Sequence, residues 1–193
     1  SDSLTVKTRN LLCDAGFDYT STPGSFNSDW WTFYSWSHGT VDVVSEDDCP
    51  SPPNCVRVYF NPNSNSNFRH LLQEKPYNPD VDPTQYIAVA KIKTADMVGR
   101  ARIESFARKT GGSMSDYSLP IGFFGTTPWL EVRKNMTISD PENTTKVGVR
   151  LRRLSASPPE GPEGSYAYYD DVMLYRDPQQ FVPGVAIDFC KDS

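Results

Sequence analysis

Histidine is nearly absent: His38 and His70 are the 2 imidazoles in 193 residues. That leaves little material for a histidine-built catalytic or metal centre. The cysteines form no C-x-x-C, and no H-E-x-x-H, G-x-S-x-G or P-loop motif occurs. The usual motif-borne signals for zinc, serine-hydrolase and nucleotide chemistry are therefore missing. No apolar run approaches the roughly 18–20 residues of a membrane span. No apolar stripe of helical period runs beyond about two turns. The net charge of −5 argues against general nucleic-acid binding. The sequence has no internal repeat, and one domain is expected for this length, since domains run to roughly 100–200 residues.

Proline and aromatic residues are what the chain does hold. Proline (16) outnumbers glycine (12), and aromatics reach 12%. Strand-forming stretches recur between turn clusters such as STPGS, NPNSNSN, TGGS and SDPEN. The expected strands are Thr40–Val44, Val56–Phe60, Phe68–Gln73, Gln85–Lys93, Arg100–Arg108, Ile121–Phe124, Leu130–Ile138, Lys146–Leu154 and Tyr166–Tyr175. Short strands at this spacing predict an all-β sandwich of two antiparallel sheets, a jelly roll. It would be one domain over 1–193, with its core at about 9–177 and a tail, 178–193, tied down by Cys190.

Alternation assigns the faces. Val147, Val149 and Leu151 alternate with Gly148, Arg150 and Arg152; Val56, Val58 and Phe60 alternate with Arg57 and Tyr59. The apolar set goes to the core and the other to solvent. Over Arg100–Arg108 the outward set is Arg100, Arg102, Glu104, Phe106 and Arg108, a charged face with one aromatic ring. Charge is also uneven along the chain. Residues 91–153 hold 12 of the 19 Lys and Arg but 6 of the 24 Asp and Glu. A basic middle either favours an anionic ligand or simply reflects solvated strand faces.

The 4 cysteines allow three pairings. The simplest is Cys49–Cys55, across an acidic proline-rich loop, with Cys13–Cys190 joining the two ends; four reduced cysteines are the competing reading. Two N-x-[ST] sequons occur at Asn135 and Asn143. An even cysteine count with two sequons points to a secreted glycoprotein. The sequence opens Ser-Asp-Ser without an apolar leader region, as expected of a mature form or of a module cut from a larger secreted protein.

Four segments carry a resemblance. They are NLLCDAGFD (10–18) with DWW (29–31), FRHLLQ (68–73) with TQYIAVAKIKT (84–94), TTPWLEVRKNMTI (126–138), and YAYYDDVMLYRD (166–177). In order and spacing they resemble carbohydrate-binding modules of families 4, 9, 16 and 22. Asp14 and Asp18 stand where that pattern has Asn and Glu. The resemblance implies a galactose-binding-like jelly roll that binds a polysaccharide or glycan across a concave sheet and performs no catalysis. It implies a structural Ca²⁺ held by Asp18 and Asp171 with the Gly16 carbonyl, and Asp14 as an extra donor. Tyr34 and Trp36 become candidates for stacking on sugar rings. Arg69, Gln73, Arg102 and Glu104 become candidates for hydroxyl hydrogen bonds. Trp129 and one of Trp30 and Trp31 are expected in the core. CDAGFD, YYDDV and a final cysteine also resemble, more loosely, the MAM adhesion fold, which would imply a protein partner. A jelly-roll polysaccharide lyase is the third reading, with His70, Tyr117 and the Arg102–Glu104 pair as its only material.

Overall fold

A computed structural model describes residues 10–17, 30–34, 39–45, 47–60, 70–115, 122–154 and 165–176. The strands are β1 (Thr32–Tyr34), β2 (Gly39–Val44), β3 (Cys55–Phe60), β4 (His70–Pro76), β5 (Gln85–Lys109), β6 (Met114–Ser115), β7 (Phe123–Thr137), β8 (Thr144–Leu154) and β9 (Ser165–Arg176). One short 3₁₀ turn, Pro141–Asn143, precedes β8. Among the described residues no helix is long and apolar enough to cross a membrane.

All the pairings are antiparallel, in the order β1-β4-β8-β5-β9-β3-β2, with β6 and β7 also on β5. The 25-residue β5 belongs to both layers. Its second half, from Arg100, pairs with β8, and its first half, Tyr86 to Ala95, pairs with β9. We call β1-β4-β8-β5-β6 the front sheet and β7-β5-β9-β3-β2 the back sheet. Their inner faces share one core: Leu71, Ile103, Val147, Val149 and Leu151 from the front meet Val56, Val58, Ala88, Ile92 and Tyr169 from the back. Tyr169 crosses between the layers, and its hydroxyl donates to the Arg152 carbonyl at 3.5 Å.

The alternation read from sequence separates the core set from the opposite face, but it is corrected on exposure: Glu104, Phe106 and Gly148, expected at solvent, are buried on the outer side of the front sheet. Two pairs of expected strands, however, are each continuous. Gln85–Lys93 and Arg100–Arg108 are both parts of β5, and the stretches around 121–124 and 130–138 are joined within β7. The intervening turn residues produce register shifts instead of reversals. Asp96 (φ 47°) and Gly99 (φ 85°) bend β5 where it passes from one sheet to the other. β1 and β6 are too short for periodicity to reveal.

The opening segment lies along β9. Leu11 donates its amide to the Leu174 carbonyl at 2.8 Å, and Val172 donates to the Ala15 carbonyl at 3.0 Å. Of the adjacent tryptophans, Trp31 is the core one, stacked at a tilt on Phe17 with 5.2 Å between centroids. Trp129 is a correction. It stays out of the main core and packs, partly buried, on a satellite cluster of Cys49, Cys55 and Tyr168. It lies in β7 next to the register shift between Ile92 and Thr94, on the side of Lys93 and Tyr168.

Cys49 and Cys55 form the expected disulfide. Cys13 is disulfide-bonded as well; its expected partner, Cys190, lies outside the described residues.

Candidate functional site

The outer face of the front sheet gathers charge. β5 and β8 set Arg102 opposite Arg152, Glu104 opposite Arg150, Phe106 opposite Gly148, and Arg108 opposite Lys146. β4 adds Leu72 beside Arg150 and Glu74 beside Gly148. At the centre Glu104, with 2% of its side chain exposed, is ion-paired to Arg102, to Arg150 and, at 3.4 Å, to Arg152. The three arginine side chains are 11–15% exposed. Burial draws the Arg102 guanidinium below its ordinary pKa; Glu104 pulls it back up, while Arg152 and Arg150 push it down again. A second carboxylate, Glu74, accepts from Arg108 Nε at 3.0 and 2.9 Å and lies 3.7 Å from Lys146 Nζ.

Packing fixes this row. The Phe106 ring lies over Gly148: a Cβ there would fall 3.0 Å from the ring and 2.3 Å from the Gln73 carbonyl oxygen. Only glycine fits at 148, opposite the ring. Phe106 is fully buried and capped by the Arg108 guanidinium, 5.9 Å from its centroid. It therefore offers no free face for stacking. Met114 of β6 closes one side, its sulfur 3.6 Å from Arg150 Nη1.

The sequence-derived candidates divide. Arg102 and Glu104 stand together at the centre of the face. Tyr34 is placed by register at the row of His70 and Arg152. Trp36 and Arg69 lie outside the described residues. Gln73 is a correction: it points into the interior, where Cys13 donates its amide to Gln73 Oε1 at 2.7 Å and Gln73 Nε2 donates to the Cys13 carbonyl at 3.0 Å. It is one residue out of phase with Leu72 and Glu74, so it shares the core side with Leu71. Arg150, Arg152, Arg108 and Glu74 were not among the candidates. Alternation had already placed Arg150, Arg152 and Arg108 outward, but only the β5–β8 register brings the arginines round Glu104.

For calcium, the described donors alone do not make a site. The Asp171 carboxylate is paired with Lys91 at 2.7 Å. Asp18 lies outside the described residues. Among the described residues no group of three or more His, Cys, Asp or Glu could hold a metal ion. The backbone does bring Gly16 near Asp171, through the bond from Val172 to Ala15.

The outer face of the back sheet is different. Tyr59, Tyr166, Tyr168 and Trp129 form a row with centroids 5.4, 6.4 and 6.4 Å apart. Lys93 lies 4.5 Å from the Tyr168 centroid and is held by Asp48, while Arg57 lies 5.3 Å from Tyr166 and is held by Asp42. Tyr166, Tyr168 and Trp129 are thus already approached by cations.

No family model matches the chain, and no curated protein matches it. Solved structures do. A xylan-binding CBM22-1 domain from Paenibacillus barcinonensis Xyn10C superposes with a TM-score of 0.51 at 9% identity, over 77% of this chain and 86% of that one. The chain has the fold of a carbohydrate-binding-module jelly roll. The same fold appears in an arabinose-bound GH51 α-L-arabinofuranosidase (TM-score 0.61, 12% identity, 86% of this chain), of which the chain spans about a quarter, 26%. It also appears in a Stig cyclase from Fischerella sp. TAU (TM-score 0.60, 15% identity, 88% and 97% of the two chains). Enzymes and binding modules therefore share this fold, and function has to be argued from the site.

Proposed function

We propose that this protein is a secreted, non-catalytic module that binds a polysaccharide or glycan on the outer face of the front sheet. The observation that carries the reading is the fixed cluster of Glu104 with Arg102, Arg150 and Arg152. It holds directional donors and acceptors in place without loose side chains, as recognition of oriented hydroxyls requires. Tyr34 and Trp36 would supply the stacking surface in this reading. Both acids of the face among the described residues, Glu74 and Glu104, are occupied by cations. That suits binding better than glycoside hydrolysis, which needs two working carboxylates across a cleft. Secretion agrees with the Cys49–Cys55 disulfide and with exposed sequon residues Asn135 and Asn143.

A glycan array tests the proposal. Wild type should retain a defined set of glycans, with Arg102→Gln and Trp36→Ala each weakening that set. Absence of binding to every glycan, with calcium present, would sink it. Calcium enters the proposal only through Asp18 and Gly16, with Asp171 released from Lys91. A chelator that lowers the Tm would support it, and an unchanged Tm would remove it. The adhesion alternative draws on the back sheet, whose Tyr, Trp and Arg residues are types favoured at protein interfaces. It would be favoured by a protein partner whose capture survives deglycosylation and is lost in Tyr166→Ala.

A further inference from the structure

We propose that Asn135 carries an N-linked glycan that closes the free edge of β7 against a second copy of this chain. The inference rests only on the secreted reading above, whatever the front face binds. Among the described residues β7 pairs with β5 and with no other strand. Ile138 donates its amide to the Thr84 carbonyl at 2.8 Å, and the register stays constant from Gln85 opposite Thr137 to Ile92 opposite Leu130. Bonded and non-bonded pairs alternate along an antiparallel ladder. Leu130, Val132, Lys134 and Met136 therefore turn their main-chain groups to β5. Those of Glu131, Arg133, Asn135 and Thr137 point away from it, along the free edge.

A row of unpaired N–H and C=O groups is a template for another strand. β7 is 15 residues long, and it holds Phe124 and Leu130, two of the three large apolar side chains exposed among the described residues. Its charges favour a copy of itself. An antiparallel second β7 centred on Val132 sets Glu131 against Arg133 in both directions, at the residues whose main-chain groups face outward. The sequon Asn135-Met136-Thr137 falls inside that overlap, with Asn135 and Thr137 exposed. In the modification the Asn135 amide nitrogen attacks the anomeric carbon of an oligosaccharide carried on a lipid pyrophosphate. A C–N bond forms, the C–O bond to the pyrophosphate breaks, and the amide gives up one proton as the lipid pyrophosphate leaves. The bulky, hydrated product stands where the second strand would lie. The other sequon differs: Asn143 sits on the 3₁₀ turn before β8, outside the β7 edge, with its side-chain amide bonded to Asp140 at 2.9 Å.

The test uses the full chain secreted from a eukaryotic host, with mass spectrometry for the glycan and sedimentation equilibrium for association. Wild type should carry a glycan at Asn135 and sediment as a monomer of 21.7 kDa plus its sugar. Asn135→Gln should self-associate at least about tenfold more tightly. Thr137→Ala removes the sequon while keeping Asn135 and should do the same, so the test survives if one variant does not fold. Asn143→Gln should stay monomeric. Asn135→Lys, which lacks the glycan but puts a charge on the edge, should weaken association back towards wild type. In the associated form the amides of 131, 133, 135 and 137 should exchange with solvent more slowly than in the monomer. The inference is overturned if Asn135 bears no glycan, if Asn135→Gln and Thr137→Ala sediment as wild type, if Asn143→Gln associates as strongly as they do, or if association leaves those amides unprotected. A glycan at Asn143 alone would overturn the edge inference and leave the secreted reading standing. No glycan at either sequon would count against both.

Discussion

On the front sheet the buried carboxylate, Glu104, is wrapped by three guanidiniums; on the back sheet the buried carboxylate, Asp170, meets neutral donors. Ser51 reaches Asp170 with its amide at 2.8 Å and its hydroxyl at 2.7 Å, and the Asp171 amide donates at 2.7 Å. Lys91, the nearby cation, is bonded to Asp171 instead. Burial pushes the Asp170 carboxyl up to about 6, against partial relief from Ser51. The wider faces repeat the contrast. The front groups three guanidiniums round one shared acid, while the back pairs Lys93 with Asp48 and Arg57 with Asp42 over a row of rings.

The comparison is broken most severely by Glu104→Gln. Three buried guanidiniums would lose their shared anion, and we expect a cost of about 3–5 kcal/mol, as for breaking a buried ion pair. Urea denaturation measures it, and a loss below about 1 kcal/mol would mean that the cluster is already open to water.

Asp170 sharpens the contrast through pH. Its folded pKa is raised above the unfolded value of about 4, so its contribution to stability is full below pH ~4 and is lost as pH rises through about 6. Asp170→Asn should therefore flatten the Tm profile between about pH 4 and 6, an effect of at most about 3 kcal/mol. A variant profile with the wild-type slope would show that Asp170 titrates normally.

The smallest effect belongs to the aromatic row. Trp129→Ala should cost about 1–2 kcal/mol, less than a core tryptophan, because the ring is only partly buried. It should leave glycan binding intact. Loss of binding would move the site to the back sheet.

Sequence alternation was enough to read which side of β3, β8 and the second half of β5 faces the core, but not that Glu104 and Phe106 on the other side are buried. It could not separate a bulge from a turn. The Asp96–Gly99 stretch has turn chemistry, yet the chain continues through it. Gln73 misled for a related reason. A polar residue inside a strand is taken as outward unless an interior partner is known, and the backbone of Cys13, 60 residues away, is invisible to local pattern. The cluster round Glu104 needed register, which side-chain periodicity does not supply. Trp129 was assigned to the core by its motif, and it is partly buried, but against the satellite cluster of Cys49, Cys55 and Tyr168 instead of the main core.

β5 has a further consequence for how this protein comes apart. One uninterrupted strand is a member of both sheets, and its hydrogen bonds run to β6, β7, β8 and β9. Neither layer can peel away without disturbing the strand that holds the other. Unfolding should then be a single cooperative event, with the amides of β5 among the last to exchange with solvent.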